Sequence, residues 1–467
     1  MKIISKTTAS KSLIWISLTI VISFITWSCE DFVEVDPPNN QLIGAEVFED
    51  ANTIDAAFAH IYSQLRDNAL TDGSISGTSY LLGHYADELE LYSLSFTNAE
   101  AFSNHTVLST DSAVKNWWDT SYNLIYAINS INEGVANSTS ISEEDRSRFL
   151  GECYFLRGYI HFYLVNLFGE IPYINSTDYR VNQSVSRQSE AIVYQHIIDD
   201  FSSAKALFDN IPDGSENFRA NFWSASAMLA RAYLYNQNWE LARDEAEAVI
   251  LSGNYALELD LNAVFLKNST ETLLQLDAGM PGDNTAEGRT FIFVTAPPPN
   301  SAISSYLKND FEPNDARFSN WLGSISEGSD IYYFPFKYKL NLPTGNTQEC
   351  SILLRLAELY LITAEANAQL NNIPEAMNYL NAIRERAALA PINSDSQTAV
   401  LEAILKERRV ELFSELGHRF FDLKRTGKAS EVLSPIKPNW DDTHLYFPLP
   451  ESELILNTNL QPQNSGY

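Results

Sequence analysis

Side chains that could do chemistry are plentiful in this chain, but their spacing does not suit catalysis. The seven histidines, His60, His84, His105, His161, His196, His418 and His444, never recur at a spacing that puts two on one helix face, so no zinc site is expected. His84 followed by Asp87, Glu88 and Glu90 comes nearest to a metal or acid–base cluster. Splitting a glycosidic bond needs two carboxylates on opposite sides of it. A chain with 60 Asp and Glu supplies such neighbours everywhere, and this group is expected to be a solvated acidic helix end. The H-E-x-x-H, G-x-S-x-G, G-x-G-x-x-G and Walker patterns are missing; Gly427-Lys428 runs into Ala429 without the upstream glycine. No D-x-D-x-D-G spacing supports calcium. No catalytic residue, metal or other cofactor is therefore expected. What remains is aromatic: 23 Tyr, 25 Phe and 8 Trp exceed the needs of a bare core. Most should be core, Trp117-Trp118, Trp223 and Trp239 among them, and the surplus could line a ligand-stacking surface.

The densest polar feature is ILKERRVELFSELGHRFFDLKRTGK, residues 404–428. Glu407, Glu411 and Glu415 recur every four residues on one helix face and repel one another. They should therefore seek guanidinium groups, with Arg384, Arg386, Arg419 and Arg425 as candidates. Without a nucleophile or metal beside it, this reads as a structural ion-pair network.

The elements that must hold these groups belong to a strongly acidic chain, with 31 Lys+Arg against 60 Asp+Glu and net charge −29 over 467 residues. Phosphate backbones and anionic lipid reward clustered Lys and Arg, and no basic run here overcomes that field, so nucleic acid is excluded. Hydrophobic residues at 45% exclude disorder. At the start, Lys2, Lys6 and Lys11 flank an uncharged run, Leu13 to Trp27, too short to span a bilayer and read as a secretory signal over residues 1–28. Cys29 behind Ser28 resembles the lipidation cysteine of a bacterial lipoprotein, with Thr26 where that motif prefers Leu; cleavage of a plain secretory signal nearby is the alternative. Cys153 and Cys350 would then remain, as buried free thiols inside helices.

Helical periodicity dominates, with helices expected at about 45–68, 112–135, 142–168, 187–210, 220–252, 350–390 and 397–416. Ser142 with Asp145 forms a capping box, and Gly169 and Pro172 end the following helix, which stacks Phe155, Tyr159, Phe162 and Tyr163 on one face. Residues 226–250 align on 360–384: Ala230 on Ala364, Asn238 on Asn372, Ala242 on Ala376, Val249 on Ile383. Each copy is a helix, an Asn-containing turn and a second helix, resembling a tetratricopeptide pair. Two long regions, 70–111 and 254–349, interrupt the pattern. They are expected to be irregular with short strands, the kind of excursion on which binding surfaces form.

Six segments in order resemble the SusD/RagB family of outer-membrane nutrient-binding lipoproteins: GECYFLRGYIHFYLVNLFGEIPYI at 151–174, LLRLAELYLITAEANAQLN at 353–371, LNAIRERAAL at 380–389, KERRVELFSELGHRFFDLKRTG at 406–427, LYFPLPESEL at 445–454 and the terminal NLQPQNSGY. Asn314-Asp315-Ala316-Arg317 further resembles that family's Asp-x-Arg element, while Ser465 stands where the terminal motif usually has Pro.

The resemblance implies a mostly α fold, a tetratricopeptide-like helical-pair scaffold with long irregular loop insertions and minor short strands. It also implies one domain over 29–467, divided into an N-terminal part of about 29–345 and a helical part of about 346–467. It implies a lipid-anchored protein at the cell surface of a Bacteroidetes-type bacterium, acting with a SusC-like TonB-dependent outer-membrane transporter. The role would be to bind a glycan and pass it to the barrel, without catalysis; the RagB branch makes a peptide ligand the second reading, and a secreted helical glycosidase is a third. The motifs lie in scaffold helices, so ligand residues are chosen on chemistry, as rings beside amides. These are Tyr92, Phe96, Asn98 and Asn104 in the first excursion, and Arg289, Phe291, Asn300, Tyr306, Trp321 and Tyr332 in the second.

Overall fold

Apolar residues spaced by three and four favour helix, and among the described residues eleven helices of eight residues or more result, five of them opened by a side-chain cap. They are α1 (Ala51–Asp67), α2 (Thr78–Tyr85), α3 (Ser112–Asn137), α4 (Glu143–Phe168), α5 (Glu190–Phe208), α6 (Phe222–Tyr235), α7 (Trp239–Leu251), α8 (Leu356–Gln369), α9 (Ile373–Arg386), α10 (Gln397–Glu411) and α11 (His418–Arg425). The computed structural model describes residues 45–92, 97–209, 211 and 217–467. Phe48–Tyr467 forms a unit of its own, distinct from Met1–Val47. Cys29 and the signal segment lie outside the described residues. Among the described residues no helix is long and apolar enough to cross a membrane.

From α3 to α9 each helix packs on the next, and α10 folds back onto α8. This is the expected stack of helix pairs. Asp111 caps α3 by accepting the Ala113 and Val114 amides, Ser142 caps α4 by accepting that of Asp145, and Gly169 ends α4 at φ 73°. The expected single apolar face on α4 is too narrow a reading: between Gly151 and Phe168 every residue but Tyr154 is buried, because α3 and α5 cover it from both sides. Gly151 and Gly158 permit that closeness. A Cβ at either would lie 2.7 Å or 3.0 Å from the rings of Phe208 and Phe201 on α5.

The repeat is geometric as well as sequential. Ala230, Ala364, Ala242 and Ala376 are all fully buried where the paired helices touch. Both turns have a left-handed residue, Gln237 at φ 58° and Asn371 at φ 61°. In both the next amide reaches back five residues, from Asn238 to the Tyr233 carbonyl at 2.9 Å and from Asn372 to that of Asn367 at 2.8 Å. This Schellman closure satisfies the orphan carbonyls at the end of the first helix of each pair.

The strands pair antiparallel in twos: β1 (Leu89–Leu91) with β3 (Ser301–Ile303), β2 (Thr272–Leu276) with β6 (Ser351–Arg355), and β4 (Leu322–Glu327) with β5 (Asp330–Pro335). Residues 350–355 were expected to begin a helix. Ser351–Arg355 instead form β6, all five residues buried, a short apolar run that periodicity alone does not resolve. The first excursion is also more ordered than expected: all eight residues of α2 are buried, and Thr97–Ser103 is a further short helix. Cys153 and Cys350 are buried and form no disulfide, and Cys350 immediately precedes β6 rather than lying in a helix.

Candidate functional site

The two excursions meet in one sheet. Leu89, Glu90 and Leu91 of β1 pair with Ile303, Ala302 and Ser301 of β3, and the Tyr92 amide extends the ladder by donating to the Asn300 carbonyl at 2.7 Å. Side chains cross-link the same junction. Ser301 Oγ lies 2.6 Å from Tyr80 Oη and 2.7 Å from His84 Nε2, both on α2, and Ser304 Oγ donates to the Asp87 carbonyl at 2.5 Å.

At the outer edge of this junction Tyr92, 41% exposed, stands edge-to-face with Tyr332 of β5 at 5.5 Å and 89°. Beneath them Phe293, Ala302 and Phe334 form a small apolar cluster, with Tyr332 and Ile325 packed against it. Glu90, exposed and two residues before Tyr92, therefore shares its strand face and lies beside its ring. Partial burial, reinforced by the Glu90 carboxylate, raises the Tyr92 phenol above its ordinary pKa, so it remains a neutral donor. Val294 and Ile331 are exposed nearby in sequence, at 77% and 54%. Alternation along the strands could have revealed Glu90; Val294 and Ile331 carry no signal that separates them from core residues.

Of the ten ligand candidates the structure brings together Tyr92, Tyr332 and Asn300. Phe96 lies outside the described residues. Asn98 donates to Ser112 Oγ at 3.2 Å, and exposed Asn104 uses its carbonyl to accept from Asn439 Nδ2 at 2.9 Å. Arg289 lines a different cavity, of about 220 Å³, with Arg66, Met280 and Asp283. Tyr306 is half exposed on the short helix Ser305–Lys308. Two candidates are corrected by burial. Trp321 is fully enclosed, its indole N–H donating to the Leu261 carbonyl at 2.9 Å and its ring edge-to-face with Phe265. Phe291, 7% exposed, packs at 6.1 Å from Tyr80. Both are core.

The His84–Asp87–Glu88 group is corrected as well: all three are buried rather than solvated, and only Glu90 faces water. Asp87 is held below its ordinary pKa against the cost of burial by Arg419, at 2.8 and 2.9 Å, and by Arg409. Burial pushes Glu88 up to about 7 and His84 down to about 3, so the histidine is neutral. Among the described residues no group of three or more His, Cys, Asp or Glu is placed to hold a metal ion.

What braces the second excursion is the expected ion-pair network, with some partners exchanged. Glu411 is enclosed by Arg317 at 3.0 Å, Arg355 at 2.6 Å and Arg386. Glu407 pairs with Arg317 at 2.7 Å and Arg384 at 3.0 Å; Glu415 pairs with Arg355 at 2.8 Å and Lys337. Asp315 grips Arg317 through both carboxylate oxygens, at 3.0 and 2.8 Å. Arg384 and Arg386 serve as expected. Arg419 instead goes to Asp87, and Arg425 to Glu365 and Asp422.

Fold and site together define a class: scaffolds of stacked helix pairs that present a surface patch on braced loop insertions. Residues 31–234 match a SusD-like family model described as "Starch-binding associating with outer membrane", and residues 322–467 match the SusD family model. The chain belongs to the SusD family. It is 27% identical to SusD-like protein P2 of Formosa agariphila, over 96% of this chain and 99% of that one. Among solved structures, a SusD superfamily protein from Parabacteroides distasonis superposes with TM-score 0.78 at 22% identity, over 91% of this chain and 100% of the other. A laminarin-binding SusD-like protein superposes with TM-score 0.74 at 24% identity, over 89% and 99%.

Proposed function

We propose that the protein is a cell-surface glycan receptor that holds its ligand on the Tyr92–Tyr332 patch and passes it, without cleaving it, to a SusC-like TonB-dependent outer-membrane transporter. The observation that favours this is the convergence of both excursions on one pair of rings, Tyr92 exposed and Tyr332 half-buried, bordered by Asn300 and Glu90. A sugar offers C–H faces that stack on aromatic rings and hydroxyl rims that need amide or carboxylate partners. The family description and the laminarin-binding neighbour point the same way. A lipid on Cys29 would tether the protein to the outer membrane, facing outward, with residues 1–28 removed and 29–467 acting as one domain.

Calorimetric titration of the pure protein against a panel of neutral oligosaccharides and a panel of peptides tests the reading. Saccharide binding with no accumulation of reducing ends is expected. Binding confined to peptides, or release of reducing ends, would overturn it. Co-purification of a TonB-dependent barrel with the tagged protein from outer membranes tests the partnership.

A further inference from the structure

Away from both excursions, a groove of about 660 Å³ opens between α3, the segment after Pro172 and the short helix Glu451–Leu456. That volume lies within the range of about 300–1,000 Å³ usual for small-molecule sites. Trp118, Tyr122 and Tyr126 line it at four-residue spacing on α3, which places successive side chains about one turn apart along one helix face. Trp118 is its floor at 4% exposure, with Tyr122 at 4.8 Å, and Tyr126 at the outer end is 55% exposed. Tyr122 is fixed by donating its hydroxyl to the Pro172 carbonyl at 2.9 Å.

The border is polar and carries no cation. Asn123, Asn182 and Gln183 supply amides. Asn123 is exposed on the helix face between the rings, and Asn182 Nδ2 donates to the Ser176 carbonyl at 2.7 Å. Asp119 and Glu453 complete the rim; burial raises the Glu453 pKa and Asp119 raises it further. No Lys, Arg or His lines the groove, and the nearby Lys115 is already paired with Asp119, so uronate or sulfate groups find no free cationic partner, whereas a neutral ring finds stacking faces and hydrogen-bond partners together.

We infer that the Trp118–Tyr122–Tyr126 groove is a second binding site, for a neutral saccharide chain. This rests on the reading of the protein as a glycan receptor. The groove takes no residue from 70–111 or 254–349, so the two sites share none, and a polymer long enough to span them would engage both. Linked occupancy multiplies retention of a polysaccharide without strengthening the grip on a short oligosaccharide.

The test uses the full chain and two double variants, Tyr126→Ala with Asn123→Ala in the groove, and Tyr92→Ala with Tyr332→Ala on the patch. The altered groove residues are exposed, and circular dichroism confirms folding. Neutral hexasaccharides (malto-, cello-, laminari- and xylo-) are titrated by calorimetry, and the matching polysaccharides are run in affinity gels. The groove variant should lose one of two binding equivalents and at least about tenfold in polymer retention, with the affinity of the remaining site unchanged. Full stoichiometry and retention in the groove variant, or an effect of that variant confined to a lysine-rich peptide, would overturn the inference. Loss in the groove variant with none in the patch variant would uphold the groove and overturn the patch. Failure of the unaltered protein to bind any of these sugars would overturn both.

Discussion

Glu411→Gln removes one negative charge from the centre of the network while keeping the size of the side chain. In the native protein that carboxylate has no solvent exposure and faces Arg317, Arg355 and Arg386. These guanidinium groups hold its pKa well below the carboxylate range despite burial. Removing one member of a buried pair typically costs about 3–5 kcal/mol, because the partners stay buried without their counter-charge. Asp315 and Glu407 still serve Arg317, Glu415 serves Arg355 and Glu271 serves Arg386, so the lower end, about 3 kcal/mol, is expected. With a urea m-value of about 3 kcal/mol/M the midpoint should fall by about 1 M, followed by tryptophan fluorescence. The pH dependence fixes the cause. A depressed carboxylate contributes stability that is complete above its unfolded pKa of about 4.3 and fades as pH falls toward its folded value. The gap between native and variant curves should therefore be constant from pH 6 to 8 and narrow below pH 4. A loss under about 1 kcal/mol at pH 7, or a gap that widens in acid, would refute the account of Glu411 as the network's central anion.

Four further outcomes are expected. Tyr92→Ala or Tyr332→Ala should each weaken binding of a recognised oligosaccharide by about 1 kcal/mol in calorimetry, whereas Trp321→Ala should cost about 3–5 kcal/mol of stability in urea and act on binding only through folding. Glu88, pushed up to about 7 by burial, favours the folded state below its unfolded pKa, and that advantage is lost as pH rises through 7. Glu88→Gln should then lose less stability than the native protein as pH rises from about 4.3 to about 7, the two curves running parallel above about pH 8 in urea titrations. Cys29→Ala should move the protein from the membrane fraction to the soluble fraction on immunoblots of fractionated cells.

Local rules made the scaffold readable. Ser142 and Gly169 bound α4 through their own backbone chemistry, and the turn of the Ala230–Asn238 repeat reproduces that of Ala364–Asn372 down to the left-handed residue, so neither needed knowledge of distant contacts. The excursions were less readable because their structure is set by pairing across more than 200 residues. β1 exists only because β3 lies beside it, and the buried fate of His84, Asp87 and Glu88 depends on Ser301 and Arg419. Trp321 shows the same limit for the site. Its neighbours Arg317 and Tyr332 place it in an aromatic, polar stretch, but the partner that buries it, Leu261, is 60 positions away. Likewise the Glu407–Glu411–Glu415 row announced its need for arginine, while which arginine answered was decided by where β6 and the Asp315 turn end.

The way the arginines are used bears on what the outer surface can hold. Arg157, Arg231, Arg317, Arg355, Arg384, Arg386, Arg408 and Arg419 are all buried, paired with carboxylates inside the protein. Such pairs cancel internally, so the net charge of −29 is expressed by the exposed groups, where positive charge is scarce. Within a Debye length of about 8 Å at physiological ionic strength, that surface repels polyanions and is indifferent to neutral polymers. The Tyr92–Tyr332 patch, bordered by Glu90, and the Trp118–Tyr122–Tyr126 groove, bordered by Asp119 and Glu453, obey the same sign. Were both places to bind saccharides, selectivity against anionic polymers would need no dedicated residue at either, because the fold has drawn these guanidinium groups inward to brace its loops.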